Sequence, residues 1–233
     1  MKTGTLNRNQ LKYIAIIAML IDHIAWTFIP TATATAQIMH FIGRLTGPTM
    51  AFFLAEGYEH TGNKQKYGIR LALFAFISWP CFSFLKTGSP LSIRPGVIYT
   101  LFLGFLTIYI WDQTGVSKFW KTVATITLCV FSLIGDWGIF DVILPLTLWS
   151  YRNNEKKKWT AFLVICVCAI VYYTDFAAPL WQSVYTLGIL MTWFVLKYGY
   201  NGQPGRKTPF NKWIFYAFYP AHLMLLGIIR WCL

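Results

Sequence analysis

The sequence predicts an all-α protein, a polytopic membrane helix bundle with about nine transmembrane helices. Of its 233 residues, 56% are hydrophobic and only 12% are charged, roughly half the charged fraction of a soluble domain. The mean hydropathy is +0.50, and apolar runs are spread along the whole length. We therefore expect one integral-membrane domain over residues 1–233 that includes no soluble module.

The individual helices are predicted from apolar segments long enough to cross a bilayer. A hydrocarbon core about 30 Å thick needs roughly 20 helical residues, and fewer where a helix is partly buried. The predicted spans are residues 11–30, 37–58, 68–85, 95–111, 120–136, 138–150, 160–175, 183–198 and 212–231. The short segment 138–150 has two alternative interpretations, a re-entrant segment or an interrupted hairpin with the span before it.

The distribution of basic residues predicts the orientation of the bundle. With the N-terminus in the cytoplasm and nine alternating spans, sixteen of the 20 lysines and arginines fall in cytoplasmic segments. Only Lys86, Arg94 and Arg230 lie outside, and this asymmetry is typical of membrane proteins. The C-terminus is then outside, and the net charge of +12 is explained without a nucleic-acid partner.

Asp22 and His23 interrupt the first apolar segment, LKYIAIIAMLIDHIAWTFI. This interruption, and the length of residues 1–36, favour an uncleaved span over the rival interpretation as a cleaved signal peptide. Ionisable residues inside a span are costly and usually mark a pathway or a reactive site. The pair is therefore the first candidate for a functional site.

Depth counting places four ionisable residues in one layer near the middle of the membrane. At 1.5 Å of helical rise per residue, Asp22 and His23 lie about 17–18 Å from the cytoplasmic face. By the same count His222 lies about 15 Å and Arg44 about 20 Å from that face. The four residues come from the first, second and last predicted spans, so the sequence predicts that these spans converge.

Helical geometry predicts that Asp22 and His23 contact different neighbours. Neighbouring residues on a helix point about 100° apart, so Asp22 and His23 cannot bond side by side. Asp22 is expected to pair with Arg44, since a carboxylate and a guanidinium offset each other's desolvation. His23 is then directed toward a different neighbour or a cavity. The alternative is a purely structural Asp–Arg pair beside a packed histidine.

Other residues have simpler interpretations. Trp26, near the end of its span, is typical of the aromatic belt at a membrane interface. Cys166 and Cys168 are two residues apart and point to different helix faces, so no metal site is expected. Glu56 lies near the cytoplasmic edge and is interpreted either as interfacial or as a substrate contact. Pro48 removes the helical donor to the carbonyl of Arg44, which suits a polar cavity.

Three segments together resemble the TraX family. The first, LKYIAIIAMLIDHIAWTF, carries the Asp-His of the opening span. The second, FIGRLTGPTMAFFLAEGYEHTGNKQKYGIRLALFAFIS, has the skeleton GR…P…FFLAEG…HT…KY…R, and the third is the closing KWIFYAFYPAHLMLL. Gly47 and Trp79 depart from the family pattern, where a bulky apolar residue and a glutamate are usual. Trp79 could alter the specificity for the acceptor.

The resemblance implies an integral-membrane acyltransferase of the bacterial cytoplasmic (inner) membrane. The family is named for a protein that acetylates the N-terminus of pilin, with acetyl-CoA from the cytoplasm as acyl donor and no metal. The implied acceptor is a membrane-associated or exported peptide, pilin or glycan, modified at an amine or a hydroxyl. An intramembrane histidine is the key group.

Chemical roles can be assigned to the candidate residues on this basis. An imidazole titrates near neutrality and suits a general base. We expect His23 to be that base and Asp22 to shape the site, while His222 orients the acceptor or takes the base role. The oxyanion and substrate contacts are assigned to Arg44, Tyr219 and Glu56. The phosphates of coenzyme A are assigned to cations on the cytoplasmic side, Arg70, Lys64, Lys66 and Lys207.

Two other classes of function fit the same polar layer. A proton-coupled transporter also needs ionisable residues at mid-membrane depth, and consumption of acetyl-CoA by the purified protein would distinguish the two. A non-catalytic factor for assembly of an envelope complex is the third class. In that case His23→Ala leaves function intact in a protein that still inserts.

Overall fold

The computed structural model describes residues 4–206 and 208–232, and within these ranges the chain is helical, with no β-strand beyond one isolated bridge between Leu6 and Tyr200. The all-α prediction is confirmed for this part of the chain. Its α-helices are α1 (Arg8–Phe28), α2 (Ala34–Gly43), α3 (Thr46–His60), α4 (Lys64–Thr87), α5 (Val97–Asp112), α6 (Lys118–Ser132), α7 (Phe140–Ser150), α8 (Glu155–Tyr173), α9 (Gly188–Phe194) and α10 (Pro209–Cys232).

Three helices of the described chain are long and apolar enough to cross a bilayer, namely α1, α4 and the stretch Trp213–Cys232 of α10. Two further apolar helices, α5 and α7, are shorter. The 11 residues of α7 extend over about 16 Å, which is half of a hydrocarbon core. The number of nine spans and the orientation of the termini stay predictions.

The chain divides into two units, which we describe separately. The first unit contains residues 4–50, 162–206 and 208–232, and therefore includes both ends of the described chain. In it, α1 packs against α2 and α10, and α2 packs against α9 and the segment that precedes α9. The predicted convergence of the first, second and last spans is confirmed within this unit.

The start of α1 is fixed by local and long-range hydrogen bonds. Asn7 and Gln10 form a capping box, in which each side chain accepts from the backbone N–H of the other residue. The N–H of Leu6 donates to the carbonyl of Gly199, and the N–H of Arg8 donates to the carbonyl of Gln203. These bonds hold the N-terminal segment against the loop that leads into α10.

The predicted single span 37–58 is broken into α2 and α3 at Arg44 and Leu45. Proline at position 48 has no N–H to donate to the carbonyl of Arg44, as another residue would in a continuous helix. That carbonyl instead lies 3.4 Å from the hydroxyl of Thr192, which donates to it. The hydroxyl of Thr46 donates to the carbonyl of Ala15 at 2.9 Å and so attaches the start of α3 to α1.

The predicted span 183–198 is not a regular α-helix. It consists of a 3₁₀ helix (Leu180–Leu187), the short α9 and a π-helix (Val195–Gly199). Gly188 explains part of this geometry, because a Cβ at this position would lie 2.1 Å from the carbonyl oxygen of Phe41. The backbone of this segment therefore lies directly against α2 at Gly188, where its 3₁₀ helix gives way to α9.

The second unit contains residues 51–161 and is organised around α5, which packs against α4, α6 and α7. Asp141 is buried, and its Oδ2 lies 2.7 Å from the hydroxyl of Thr100. A Cβ at Gly104 would lie 2.2 Å from the carbonyl oxygen of Asp141, the carbonyl that Pro145 deprives of a helical donor. Glycine at position 104 thus permits α5 and α7 to touch at the backbone.

Trp79, which departs from the family pattern, also belongs to this unit. Its indole N–H donates to the carbonyl of Ser92 at 2.9 Å, and the hydroxyl of Ser83 reaches the same carbonyl at 2.8 Å. Both bonds attach the loop after α4 to that helix. A role of Trp79 in acceptor specificity stays a prediction.

Candidate functional site

The centre of the candidate site is the buried carboxylate of Asp22, which bonds to α2 and to the turn that follows it. Oδ2 of Asp22 accepts from the guanidinium of Arg44 at 2.8 Å, and Oδ1 lies 2.7 Å from Nδ1 of His40. The predicted pairing of Asp22 with Arg44 is confirmed. The second partner, His40, was not among the predicted site residues.

A glycine makes room for this carboxylate. A Cβ on Gly43 would lie 2.3 Å from both Cβ and Cγ of Asp22, a distance that real side chains do not adopt. The absence of a side chain at position 43 lets α1 and α2 approach closely enough for Asp22 to reach His40 and Arg44 at once.

Changing Gly43 to alanine is expected to lower the free energy of unfolding by about 1–3 kcal/mol, because the added methyl overpacks a site that cannot yield without moving Asp22. Thermal unfolding of the detergent-purified variant measures this effect. The control is Gly115→Ala, since a Cβ at Gly115 meets nothing within 4 Å. Equal stability of the two variants would show that the helices can separate at no cost.

His23 and His222 form a second pair on a different face of α1. Nδ1 of His23 lies 2.8 Å from Nε2 of His222, and the two rings are stacked with centroids 5.1 Å apart. Nδ1 of His222 lies 2.7 Å from the carbonyl oxygen of Phe218, one turn earlier in α10. Both histidines are buried, each with 5% of its surface exposed.

The acceptors around the two rings assign their protons. A carbonyl oxygen only accepts, so Nδ1 of His222 carries a proton and donates to Phe218. Burial favours uncharged imidazoles, and an uncharged His222 then accepts at Nε2. Nδ1 of His23 is the donor to that atom, which leaves the lone pair of His23 on Nε2. With both imidazoles uncharged, the pair therefore holds His23 as the tautomer that carries its proton on Nδ1.

Aromatic rings surround the polar residues of this unit. The ring of Trp26 lies over His40 with centroids 4.1 Å apart, so this residue contributes to the site besides its predicted interfacial role. Tyr185, on the 3₁₀ helix, lies 5.5 Å from His40 between ring centroids, and the guanidinium carbon of Arg44 lies 5.4 Å from its ring. Tyr219 is buried beside both members of the histidine pair, 6.3 Å from His23 and 5.7 Å from His222.

The first unit thus brings together five of the predicted site residues, namely Asp22, His23, Arg44, Tyr219 and His222. His40 could have been found from its spacing, because residues four apart on a helix share a face and His40 precedes Arg44 by four.

The other predicted contacts, Glu56, Lys64, Lys66 and Arg70, belong to the second unit. Nζ of Lys64 lies 2.6 Å from Oδ2 of Asp112, which also accepts from the hydroxyl of Tyr58 at 2.8 Å. Lys64 is therefore engaged in an ion pair. Lys66 is exposed, and the guanidinium carbon of Arg70 lies 5.7 Å from the ring centre of Tyr67.

Lys207 lies outside the described residues. Among residues 4–206 and 208–232, no group of three or more histidine, cysteine, aspartate or glutamate side chains could hold a metal ion. The chemistry available to the described site is that of imidazoles, a carboxylate, a guanidinium and a phenol.

Comparison with known proteins identifies the family. The family model described as TraX protein matches residues 7–230. The probable fimbrial assembly protein FimC, serogroup H1, of Dichelobacter nodosus is 34% identical over 237 residues, covering 93% of each chain. An uncharacterised protein of Rickettsia prowazekii (strain Madrid E) is 27% identical over 173 residues, covering 71% of this chain and 61% of the relative.

No solved structure matches the chain significantly. The family match spans nearly the whole sequence, and the Dichelobacter relative aligns with this chain over almost its full length. The chain belongs to the TraX family.

Proposed function

We propose that this protein is a membrane-embedded acyltransferase that moves an acetyl group from cytoplasmic acetyl-CoA to an amine or hydroxyl. The observation that carries the proposal is the buried His23–His222 pair, in which uncharged imidazoles place the proton of His23 on Nδ1 and its lone pair on Nε2. Membership of the TraX family supports it, because the family resemblance implies acetylation of a pilin N-terminus. The expected location is the bacterial cytoplasmic (inner) membrane, with multiple spans.

The reaction needs a base for the proton of the acceptor. As the amine or hydroxyl attacks the thioester carbonyl, Nε2 of His23 takes its proton, and a tetrahedral oxyanion forms. Collapse of this intermediate breaks the C–S bond, and the proton passes from His23 to the thiolate of coenzyme A. The products are the acetylated acceptor and free thiol, and the enzyme returns to its starting protonation state.

His222 keeps the base in the productive tautomer. Its Nε2 accepts from Nδ1 of His23, and its own Nδ1–H is held by the carbonyl of Phe218. When His23 gains a proton at Nε2, it becomes an imidazolium. The hydrogen bond from its Nδ1–H to Nε2 of His222 is then charge-assisted and stabilises the positive charge. The carboxylate of an Asp–His–Ser triad has a comparable orienting role.

The oxyanion requires a hydrogen-bond donor or a cation close to the thioester carbonyl. Tyr219 is the proposed donor, since its ring lies beside both histidines in the interior of the first unit. Arg44 is engaged by Asp22 and is proposed to shape the site, with its positive charge offset by the carboxylate.

A pilin, or another exported peptide with a free N-terminus, is the acceptor that the comparisons favour. The Dichelobacter relative is named as a probable fimbrial assembly protein, and fimbrial subunits pass through the cytoplasmic membrane. A glycan hydroxyl is the alternative acceptor. Acetyl-CoA is the proposed acyl donor, and the assignment of its phosphates to Arg70, Lys64, Lys66 and Lys207 stays a prediction.

The proposal is tested with purified protein in detergent and acetyl-CoA, by following the release of free thiol and by mass spectrometry of the acceptor. A peptide with a free N-terminal amine is compared with the same peptide carrying a blocked N-terminus. We expect thiol release that depends on the free amine, with one acetyl group added per peptide. A protein that neither binds nor consumes acetyl-CoA would exclude the proposed activity.

A second candidate function is assembly of fimbriae without catalysis, and the name of the Dichelobacter relative favours it. In that case the histidine pair has only a structural role. Fimbriation of a host strain would then survive substitution of His23, provided that the protein is still inserted. The acyltransferase proposal requires fimbrial subunits in that strain to lose their acetyl group.

A further inference from the structure

The order Asp22–His23 in the sequence suggests that the carboxylate serves the histidine next to it, and the geometry shows a different pairing. The imidazole bonded to Asp22 is that of His40 on α2, at 2.7 Å, whereas the ring of His23 is bonded to His222 on α10. The unit therefore contains two separate imidazole systems on different faces of α1, one bonded to α2 and one to α10.

His40 is fully buried, with 0% of its surface exposed. Its Nδ1 faces a carboxylate oxygen, which only accepts, so Nδ1 carries a proton and donates to Asp22. The other ring nitrogen, Nε2, has no hydrogen-bond partner within the described parts of the chain. The polar contribution of His40 is thus a single bond to Asp22.

Three groups define the surroundings of this imidazole. Trp26 covers one face of the ring, Tyr185 approaches from the 3₁₀ helix, and the carboxylate of Asp22 occupies the Nδ1 edge. Arg44 supplies the positive charge that balances Asp22. The Nδ1–H of His40 and the guanidinium of Arg44 thus each serve one oxygen of the carboxylate.

We propose that His40 is a positioning residue for the acyl transfer. Its Nδ1–H and the guanidinium of Arg44 hold one oxygen of Asp22 each, and the clamped carboxylate fixes the rotation of α1 against α2. Because His23 follows Asp22 by one residue, the same rotation sets the direction in which His23 reaches His222. His40 acts on the reaction through Asp22 and contacts neither substrate. We call this arrangement, Asp22 held by His40 and Arg44, the clamp. The effect of the clamp on acyl transfer rests on the proposed function, while its hydrogen bonds do not.

Two substitutions test the contribution of the His40 N–H separately from that of its aromatic ring. His40→Asn places an amide N–H on Cγ, where Nδ1 is attached, and so keeps a donor for Asp22 without an aromatic ring. His40→Phe keeps the ring beneath Trp26 and removes the donor. We expect His40→Asn to transfer acetyl groups within about threefold of the wild-type rate, and His40→Phe to lose about tenfold or more in kcat at unchanged KM for acetyl-CoA.

The pH profile of kcat/KM distinguishes positioning from base catalysis. If His23 is the base, the profile of His40→Asn follows that of the wild type. Loss of activity in His40→Asn, with the protein folded, would show that a donor to Asp22 is not sufficient and that Nε2 or the ring of His40 is needed, and it would overturn the proposal. Wild-type activity in His40→Phe would overturn it as well.

A measurement that needs no activity tests the clamp directly. Nitrogen-15 NMR of histidine-labelled protein in detergent, with His40 assigned through His40→Asn, is expected to show a protonated Nδ1 and an unprotonated Nε2. The Nδ1–H resonance should shift in Asp22→Asn. A proton on Nε2 alone would contradict the clamp even in a protein that consumes acetyl-CoA. Absence of acetyl transfer by the wild type would instead refute the proposed function and leave this result to decide the role of His40.

Discussion

Replacing His23 with asparagine is expected to lower the rate of acetyl transfer by about 10²–10⁴-fold, the usual contribution of a general base. Asparagine carries an N–H on Cγ, where Nδ1 of histidine is attached, so it can still donate to Nε2 of His222. It lacks any counterpart of Nε2, the atom that the proposed mechanism uses. Thiol release from acetyl-CoA in the presence of a peptide amine measures the loss.

The matched control is His60→Asn, because His60 is exposed and its Nδ1 lies 2.8 Å from the carbonyl oxygen of Glu56 in its own helix. This variant is expected to keep the wild-type rate. Binding of acetyl-CoA should survive in His23→Asn, since the substitution removes a proton acceptor and preserves the contact with α10. Unchanged transfer by His23→Asn would assign the base to another residue, and His222 would be the first to test.

Replacing Arg44 with methionine is expected to lower the free energy of unfolding by about 3–5 kcal/mol. The substitution leaves Asp22 as a buried carboxylate without its cation, and breaking a buried ion pair on one side has a cost of this order. The side chains of Arg44 and Asp22 are only 11% and 12% exposed, so solvent compensates little. Thermal or chemical unfolding in detergent measures the change.

The double variant Asp22→Asn with Arg44→Met isolates the electrostatic contribution. It removes both charges and keeps side chains of similar size, so it should recover most of the stability that Arg44→Met loses. If the double variant were no more stable than Arg44→Met, packing of the arginine stem rather than its charge would be responsible. The single variant Asp22→Asn completes the double-mutant cycle formed with the wild type, Arg44→Met and the double variant.

The Asp22–Arg44 pair could be predicted because two physical rules leave few possible partners for Asp22. Charge inside a membrane is costly, and helical geometry forbids a bond between adjacent residues. Arg44 was the only arginine at the depth of Asp22, so the partner followed. The all-α fold was predictable for a similar reason, since backbone polar groups in lipid must be satisfied within the helix.

The partners of His23 and the role of His40 could not be predicted in this way. Depth counting gives the height of a residue in the membrane and gives no information on which helices are neighbours, so the contact between His23 and His222 needed the fold. The predicted span begins at residue 37, which would place His40 near the outer edge of the membrane, whereas α2 begins at Ala34 and its N-cap is Thr33. The irregular turns between residues 180 and 199 depend on the tertiary approach of Gly188 to α2.

The separation of bonded residues along the chain has a consequence for biosynthesis. Asp22 finds Arg44 only 22 residues later, and His40 even sooner, so the costly charge of the first helix is compensated early in translation. His23 must wait for a partner 199 residues further on, which at 5–20 residues per second takes roughly 10–40 s. The nascent protein can therefore form the Asp22–Arg44 pair soon after α2 has been made, whereas the bond between His23 and His222 must await the synthesis of α10.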